Sequence, residues 1–313
     1  MLQKILAVGL NPVMQKTIVL EHLWENEVNR SGNYLFSVAG KGANTARVLT
    51  ELGARTIHLT HGGGLFRNTF ASMLADDGVQ VHIVDSKSEI RLCYTLINQE
   101  HHTVTEIVEE AVPVCGETDS LLREQYAELV KDVGIVTISG TRASGYSDNI
   151  IPWMVQTAAA LGKKIVLDVR GADLLNSLAY RPAVIKPNLK EFSETLFPKE
   201  TFKEHATESS ILDAVKERML ELEQTYGVTT VLTQGARSVF TCHGGRIDER
   251  RVDAVVPVNT IGCGDSFTAG LAYGISEGLP MEACVSMGIA CGRANALNLK
   301  PGTVKGEHFP RFK

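Results

Sequence analysis

From residue 118 onward the chain repeats one unit, a helix running into a short apolar strand. A helical stretch carrying Leu121, Leu122, Tyr126, Leu129 and Val130 leads to an apolar run at 135–138. Helices at about 150–161, 173–178 and 210–226 lead to runs at 164–169, 183–186 and 230–233. Strands joined through helices pair in parallel, with right-handed crossovers and helices on both faces of the sheet. The N-terminal part follows the same rule. A strand at 5–8 precedes a helix opened by Gly40-Lys41-Gly42, carrying Ala43, Ala46, Arg47, Leu49 and Leu52 and closed by Gly53. A strand at 56–60, a loop at Gly62-Gly63-Gly64, a helix with Phe66, Phe70, Met73 and Leu74, and a strand at 81–84 continue it. Two apolar helices, 265–276 and 281–297, end the pattern.

Two stretches break the alternation. Residues 17–20 and 34–38 read as short strands, and 91–97 and 103–108 as a hairpin around Asn98-Gln99-Glu100-His101-His102, with no helix between them. The expectation is a small β layer from about 12–38 and 88–110, lying over the carboxyl ends of the main strands. Residues 239–242 and 252–256 read as a late antiparallel excursion. With no internal sequence repeat, low-complexity tract or long linker, the whole of 1–313 reads as one α/β domain with a β appendage.

Composition removes several function classes. Thirty-one basic against thirty-six acidic side chains give a net charge of −5, which argues against a nucleic-acid surface and leaves room for a local basic pocket. No apolar run reaches membrane-spanning length, and the N-terminus is expected to enter a strand directly, with no signal peptide. The six cysteines form no C-x-x-C pair, so reduced thiols and a cytoplasmic location are expected. The nine histidines show no metal spacing.

In open parallel sheets, ligands bind beyond the carboxyl ends of the strands. The run Asn259-Thr260-Ile261-Gly262-Cys263-Gly264-Asp265-Ser266-Phe267-Thr268-Ala269-Gly270 is the most informative candidate. Gly262 and Gly264 permit a tight turn, and the helix read as starting at Asp265 or Ser266 offers free N–H groups to an anion. A carboxylate there is placed to take a proton from a hydroxyl while the N–H groups stabilise a transferring phosphoryl group. An aspartate cap after a glycine turn is the plain alternative. No Walker A run and no complete G-x-G-x-x-G occurs.

Four motifs in order give this pattern a context. Gly262 to Gly270 resembles the C-terminal signature of the PfkB/ribokinase carbohydrate kinases, and Ala39-Gly40-Lys41-Gly42-Ala43-Asn44-Thr45-Ala46-Arg47 the N-terminal one. Lys186-Pro187-Asn188-x-x-Glu191 and Thr233-Gln234-Gly235-Ala236 resemble further family motifs. Leu10-Asn11-Pro12 with Glu27-Val28-Asn29-Arg30 is similar to the 1-phosphofructokinase and tagatose-6-phosphate kinase branch. The resemblance implies a ribokinase-like three-layer α/β/α domain with a mainly parallel sheet and a small β-strand lid. It also implies ATP-dependent, Mg²⁺-assisted phosphoryl transfer to a sugar hydroxyl, with a monovalent cation such as K⁺ as a further ligand.

By position, the resemblance makes Asp265 the catalytic base and Gly262, Cys263 and Gly264 the anion hole. It puts Lys186, Asn188, Thr233, Gly235 and Asn295 on the nucleotide side, with Asn298 beside them, and Glu191 at Mg²⁺ through water. On the sugar side it places Gly40, Lys41, Asn44 and Ser139, with Arg91 and Arg30 as phosphate readers, since arginine grips phosphate with two donors. Departures from the branch fall on that side. Gln15 stands where the branch carries an aspartate, and Ser139-Gly140-Thr141-Arg142-Ala143 replaces its Ser-Gly-Ser-Leu-Pro run. The expected acceptor is a ketohexose phosphate of the fructose 1-phosphate or tagatose 6-phosphate type. An unphosphorylated sugar or nucleoside, or a sugar-phosphate-binding regulator without catalysis, is the alternative. An open sheet edge over the site suggests a homodimer.

Overall fold

The computed structural model describes residues 4–197 and 208–306. A nine-stranded sheet runs through the molecule in the order β13-β12-β11-β10-β9-β8-β1-β4-β5. Its parallel part comprises β1 (Lys4–Val8), β4 (Arg55–Gly63), β5 (Gln80–Glu89), β8 (Ile135–Ser139), β9 (Lys164–Asp168), β10 (Val184–Ile185) and β11 (Thr229–Thr233). Side chains alternate across the strands, so neighbouring residues serve opposite cores. Leu6, Val8, Val136 and Ile138 pack on one face; Ile5, Ala7, Ile135 and Val166 pack on the other. Helices α3 (Thr118–Leu129) and α4 (Ile150–Ala160) contribute Leu122, Tyr126, Met154 and Val155 to the first core. Helices α1 (Lys41–Glu51), α2 (Arg67–Asp76), α8 (Cys263–Ser276) and α9 (Met281–Ala296) build the second with Leu49, Phe70, Phe267 and Met287. This is the expected three-layer arrangement. Shorter α5 (Ala172–Leu175), α6 (Leu189–Leu196) and the longer α7 (Glu208–Tyr226) complete the crossovers.

The segments without intervening helix form their own sheet, β3-β2-β6-β7, from β2 (Val13–Leu20), β3 (Tyr34–Ala39), β6 (Arg91–Asn98) and β7 (Thr103–Val108). β2 pairs antiparallel with β3 and parallel with β6, and β6–β7 is the expected hairpin. None of these strands enters the central sheet. Arg91, Glu106 and Val108 reach from this lid to the cavity that Ser139 and Asp168 line at the carboxyl ends of β8 and β9.

Two local expectations change. Gly62 and Gly63 extend β4 and pair with Asp85 and Glu89 of β5 across a bulge, so only Gly64 lies beyond the strand. The antiparallel excursion is β12 (Ser238–His243) and β13 (Arg246–Arg251), joined by Gly244-Gly245, whereas residues 252–256 are outside any strand. β13 is highly charged (Arg246, Asp248, Glu249, Arg250, Arg251), which is how an exposed edge strand avoids pairing with another chain and why an apolar pattern misses it. The chain returns to α1 through a close approach: a Cβ on Gly42 would stand 2.5 Å from the Gly9 Cα. The glycine pair therefore seats the α1 N-terminus against the end of β1.

Candidate active site

The first turn of α8 is the centre of the site. Gly262 occupies the N-cap with φ 83°, and a Cβ there would meet the Gly302 nitrogen at 2.7 Å. This left-handed turn starts the helix at Cys263, earlier than the sequence pattern suggests, so Gly264 and Asp265 belong to its first turn. The N–H groups of a first turn have no intrahelical acceptor and face outward as an anion site. Asn295 braces the turn from α9. Its Oδ1 accepts from Gly302 N at 2.6 Å and Ser266 Oγ at 3.1 Å, and its Nδ2 donates to Ile261 O at 2.8 Å. The structure thus places the Asn295 amide inside the protein, holding the loop, rather than open to a nucleotide or cation. Asn298 donates to Ala294 O at 2.8 Å, closing the end of α9.

Asp265 is 7% exposed, and its Oδ2 accepts from Asn44 Nδ2 at 2.8 Å. Burial pushes its carboxyl above the usual range; the Lys41 charge and the Asn44 bond oppose this, and the Asp168 charge adds to it. Asn44 is itself fixed, because its Oδ1 accepts from Arg47 Nη1 at 3.2 Å. Arg47 is wholly buried and spends its other donors on Val38 O, Pro301 O and Asp77. The Asn44 amide is therefore committed to orienting Asp265, where sequence reading assigned it to sugar hydroxyls.

The charge hub is Asp168, which that reading did not single out. It ends β9 at 1% exposure. Its Oδ1 lies 3.2 Å from Lys41 Nζ; its Oδ2 lies 3.4 Å from Lys186 Nζ and accepts from Thr268 Oγ1 at 2.9 Å. Burial raises its pKa, but the two lysines and the Thr268 bond overcome that and hold it below the ordinary value. Lys41, flanked by Asp168 first and then by Asp265 and Glu191, is held above the ordinary lysine range despite its desolvation. A carboxylate on the last residue of a parallel strand was the available signal for Asp168. Glu191 serves two structures at once. One oxygen lies 3.3 Å from Lys41 Nζ, and the other closes a capping box with the Asn188 backbone at 3.1 Å, while the Asn188 side chain accepts from Glu191 N at 2.8 Å.

Two cavities bear on the site, one lined by residues of this turn and one by the charged neighbours of Asp265. A cleft of about 410 Å³ is lined by Gly40, Lys41, Ser139, Asp168 and Glu191, and by Arg91 and Glu106 from the lid. The Ser139 hydroxyl is buried with no partner among the described residues. Arg91 Nη1 donates to Glu109 O at 2.9 Å, and its Nε is buried and unpartnered. On the other side lies a slot of about 260 Å³ with mostly apolar walls, including Val239, Val255, Phe267 and Ile289, and with Thr233, Gly235, Cys263 and Gly264 on its rim. Lys186 Nζ stands 3.8 Å from where a Gly264 Cβ would sit. Burial raises the Cys263 thiol pKa, so it sits in the slot as a neutral group. Besides Asn44, two predicted sugar-side residues are not among those lining the cleft. Gln15 is 3% exposed within the lid and donates to the Thr95 hydroxyl. Arg30 lines a separate groove with Lys16 and Tyr34. Glu106 and Arg170 line the cleft without having been predicted.

The residues suit the groups that the sequence resemblance implies. Among the described residues no three acidic, histidine or cysteine side chains gather as a metal cage. Mg²⁺, however, keeps much of its water and takes one or two carboxylates with phosphate oxygens, which Glu191 and Asp168 on the cleft can supply. The apolar slot ending at a helix N-terminus suits a purine nucleotide with its phosphates directed to Gly264.

Comparison with known proteins agrees with this layout. Phosphofructokinase-2 from Escherichia coli in complex with fructose-6-phosphate superimposes with a TM-score of 0.82 at 21% identity, covering 96% of each chain. The same enzyme in complex with potassium gives 0.82 at 22% identity, over 99% of this chain and 95% of that one. A Thermotoga maritima protein described as "possible 1-phosphofructokinase" gives 0.83 at 20% identity, over 95% and 93%. These likenesses establish the ribokinase-like fold with its strand lid. The model of the pfkB family carbohydrate kinases matches residues 2–304. With that match over nearly the whole length, the chain belongs to the pfkB family of carbohydrate kinases, phosphotransferases that act on a sugar hydroxyl using ATP and Mg²⁺.

Proposed function

We propose that this chain is an ATP-dependent phosphosugar kinase that transfers the γ-phosphoryl group to a hydroxyl of a ketohexose phosphate, and that 1–313 acts as one domain. The observation that carries this reading is the position of Asp265: buried at the first turn of α8 and oriented by Asn44, with its chain neighbour Gly264 lining the apolar slot and its charged neighbours Lys41 and Asp168 lining the polar cleft. The acceptor occupies the cleft, where Gly40, Lys41 and Ser139 offer donors and Arg91 meets its phosphate. The nucleotide lies in the slot against Thr233 and Gly235. Asp265 accepts the proton of the attacking hydroxyl, aided by the raised proton affinity that burial confers. The N–H groups of Gly264 and Asp265, the α8 dipole and the Lys186 ammonium stabilise charge on the transferring group. Bound Mg²⁺ supplies further charge neutralisation, with Glu191 holding it through water. Asp168 keeps Lys41 charged and holds Lys186 in place through an ion pair, and Asn188 orients Glu191. A monovalent cation such as K⁺ fits the same reading, in line with the potassium complex of the Escherichia coli enzyme.

One observation favours an unphosphorylated acceptor as a second reading: the Glu106 carboxylate at the cleft mouth, close enough to Arg91 to feel its charge. The lid also leaves β3 and β7 as open edges and exposes Trp24, Tyr34 and Ile107, which supports a homodimer through this sheet. A coupled ADP-release assay over sugars and sugar phosphates decides the acceptor. Turnover of a ketohexose phosphate in preference to every free sugar is the expected result, and a free sugar as best substrate moves the assignment to the second reading.

A further inference from the structure

Three cations line the acceptor cleft, and they differ in what already holds them. Lys41 is shared between Asp168 and Glu191 at 3.2 and 3.3 Å. Arg91 is tied to the Glu109 carbonyl, with Glu106 nearby. Arg170 lines the same cleft, is exposed, and has no hydrogen bond or ion pair among the described residues. Its backbone, by contrast, is anchored on both sides. Asp168, two residues before it, is held by Lys41, Lys186 and Thr268. Gly171, directly after it, takes φ 63° and donates its N–H to Thr195 Oγ1 at 2.9 Å. A fixed backbone thus presents an unengaged guanidinium to a cleft.

Among the described residues nothing bonds that side chain. A planar two-point donor at a cavity wall matches an oxyanion with paired acceptors, and phosphate is the oxyanion that this family's chemistry brings to the site. We propose that Arg170 is a specificity-determining residue that reads a phosphate from the floor of the cleft, while Arg91 reaches the same space from the lid. The inference deepens the phosphosugar reading and rests on it. The phosphate is either the one on the acceptor or one of the nucleotide's. Arg170 shares its cavity with Arg91 and Ser139 and is absent from the walls of the apolar slot, so the acceptor's phosphate is the expected source.

The test compares wild type, Arg170→Ala and Arg170→Lys by calorimetric binding and by steady-state kinetics. The two probes are fructose 6-phosphate and a non-hydrolysable ATP analogue. Arg170→Ala should weaken the sugar phosphate by at least roughly tenfold, the low end for a charge-assisted contact, and leave the ATP analogue unchanged; Arg170→Lys should recover part of the loss. Weakening of the analogue alone assigns the same phosphate-reading role to the nucleotide side. Unchanged binding of both probes overturns the proposal. If wild type turns over only unphosphorylated sugars, the phosphosugar reading falls by itself, and the analogue titration still decides Arg170.

Discussion

The two cavities of the site are made from opposite materials. The slot takes its walls from one continuous fifth of the chain, 233–296, and most of them are apolar. The cleft collects charges from elements far apart in sequence: Lys41 from α1, Arg91 and Glu106 from the lid, Asp168 from β9, and Glu191 from α6. Apolar walls act additively, so each slot residue should matter a little. Buried charges hold one another's ionisation state, so removing one leaves its partners uncompensated. The lesson is that the cleft should be brittle and the slot tolerant.

The largest expected effect lies at the hub of the cleft. Asp168→Asn leaves buried Lys186 without its carboxylate partner and should cost about 3–5 kcal/mol of folding stability, read from chemical denaturation. A loss below about 1 kcal/mol would break the contrast between brittle cleft and tolerant slot. The pH dependence follows the same residue. Because Asp168 is held below its ordinary pKa in the folded state, its contribution is present above the unfolded carboxylate value and is lost as pH falls through the lower folded value. Asp265 has the opposite sign. Its raised folded pKa means that ionisation costs stability, so neutralising it should spare or strengthen the fold. Acid titration of the two asparagine variants should show the wild-type acid-limb loss reduced only in Asp168→Asn.

Next in size, Asp265→Asn should lower kcat by at least roughly a hundredfold while leaving nucleotide binding intact. Near-normal turnover by the folded variant would remove Asp265 from the role of base. Arg91→Ala should then raise KM for a phosphosugar by roughly tenfold, with little change for ATP, as loss of a single charge-assisted contact requires. Equal changes for both substrates would mean that Arg91 supports the lid rather than the acceptor. The smallest effect belongs to the slot. Ile289→Val removes one methylene from its wall, about 0.8 kcal/mol, and should raise KM for ATP by no more than about fourfold without touching the acceptor. A larger effect would mean that the slot is as tightly coupled as the cleft.

How much of this was legible in sequence depended on the range of the signal. The alternation of apolar runs with 3.6-residue periods marked the parallel strands and their crossovers, because burial on both faces of a sheet dictates those patterns locally. The missing helix between Arg91 and Val108 marked the lid for the same reason. Gly262 to Asp265 stood out because a glycine turn entering a helix is a contiguous feature. The charged edge strand Arg246–Arg251 did not stand out, since protection from pairing removes the apolar pattern that reveals strands. The start of α8 was displaced because helix onset there depends on a left-handed Gly262 in a turn braced by the Asn295 bond to Ile261 O, a contact spanning 34 residues.

By itself, then, the sequence determined the layered α/β architecture, the lid and the motif order that marks a pfkB kinase, because each rests on local periodicity or contiguous residues. Tertiary structure alone decided which side chains meet. It turned Asn44 toward Asp265 across 221 positions and made Asp168 the partner of two lysines. It buried Gln15 against Thr95, set Arg30 on another groove, and brought Glu106 and Arg170 to the cleft. The physical reason is that hydrogen bonds and ion pairs act over a few ångströms of space, and that proximity comes from how strands are ordered in the sheet, which no local stretch of residues encodes.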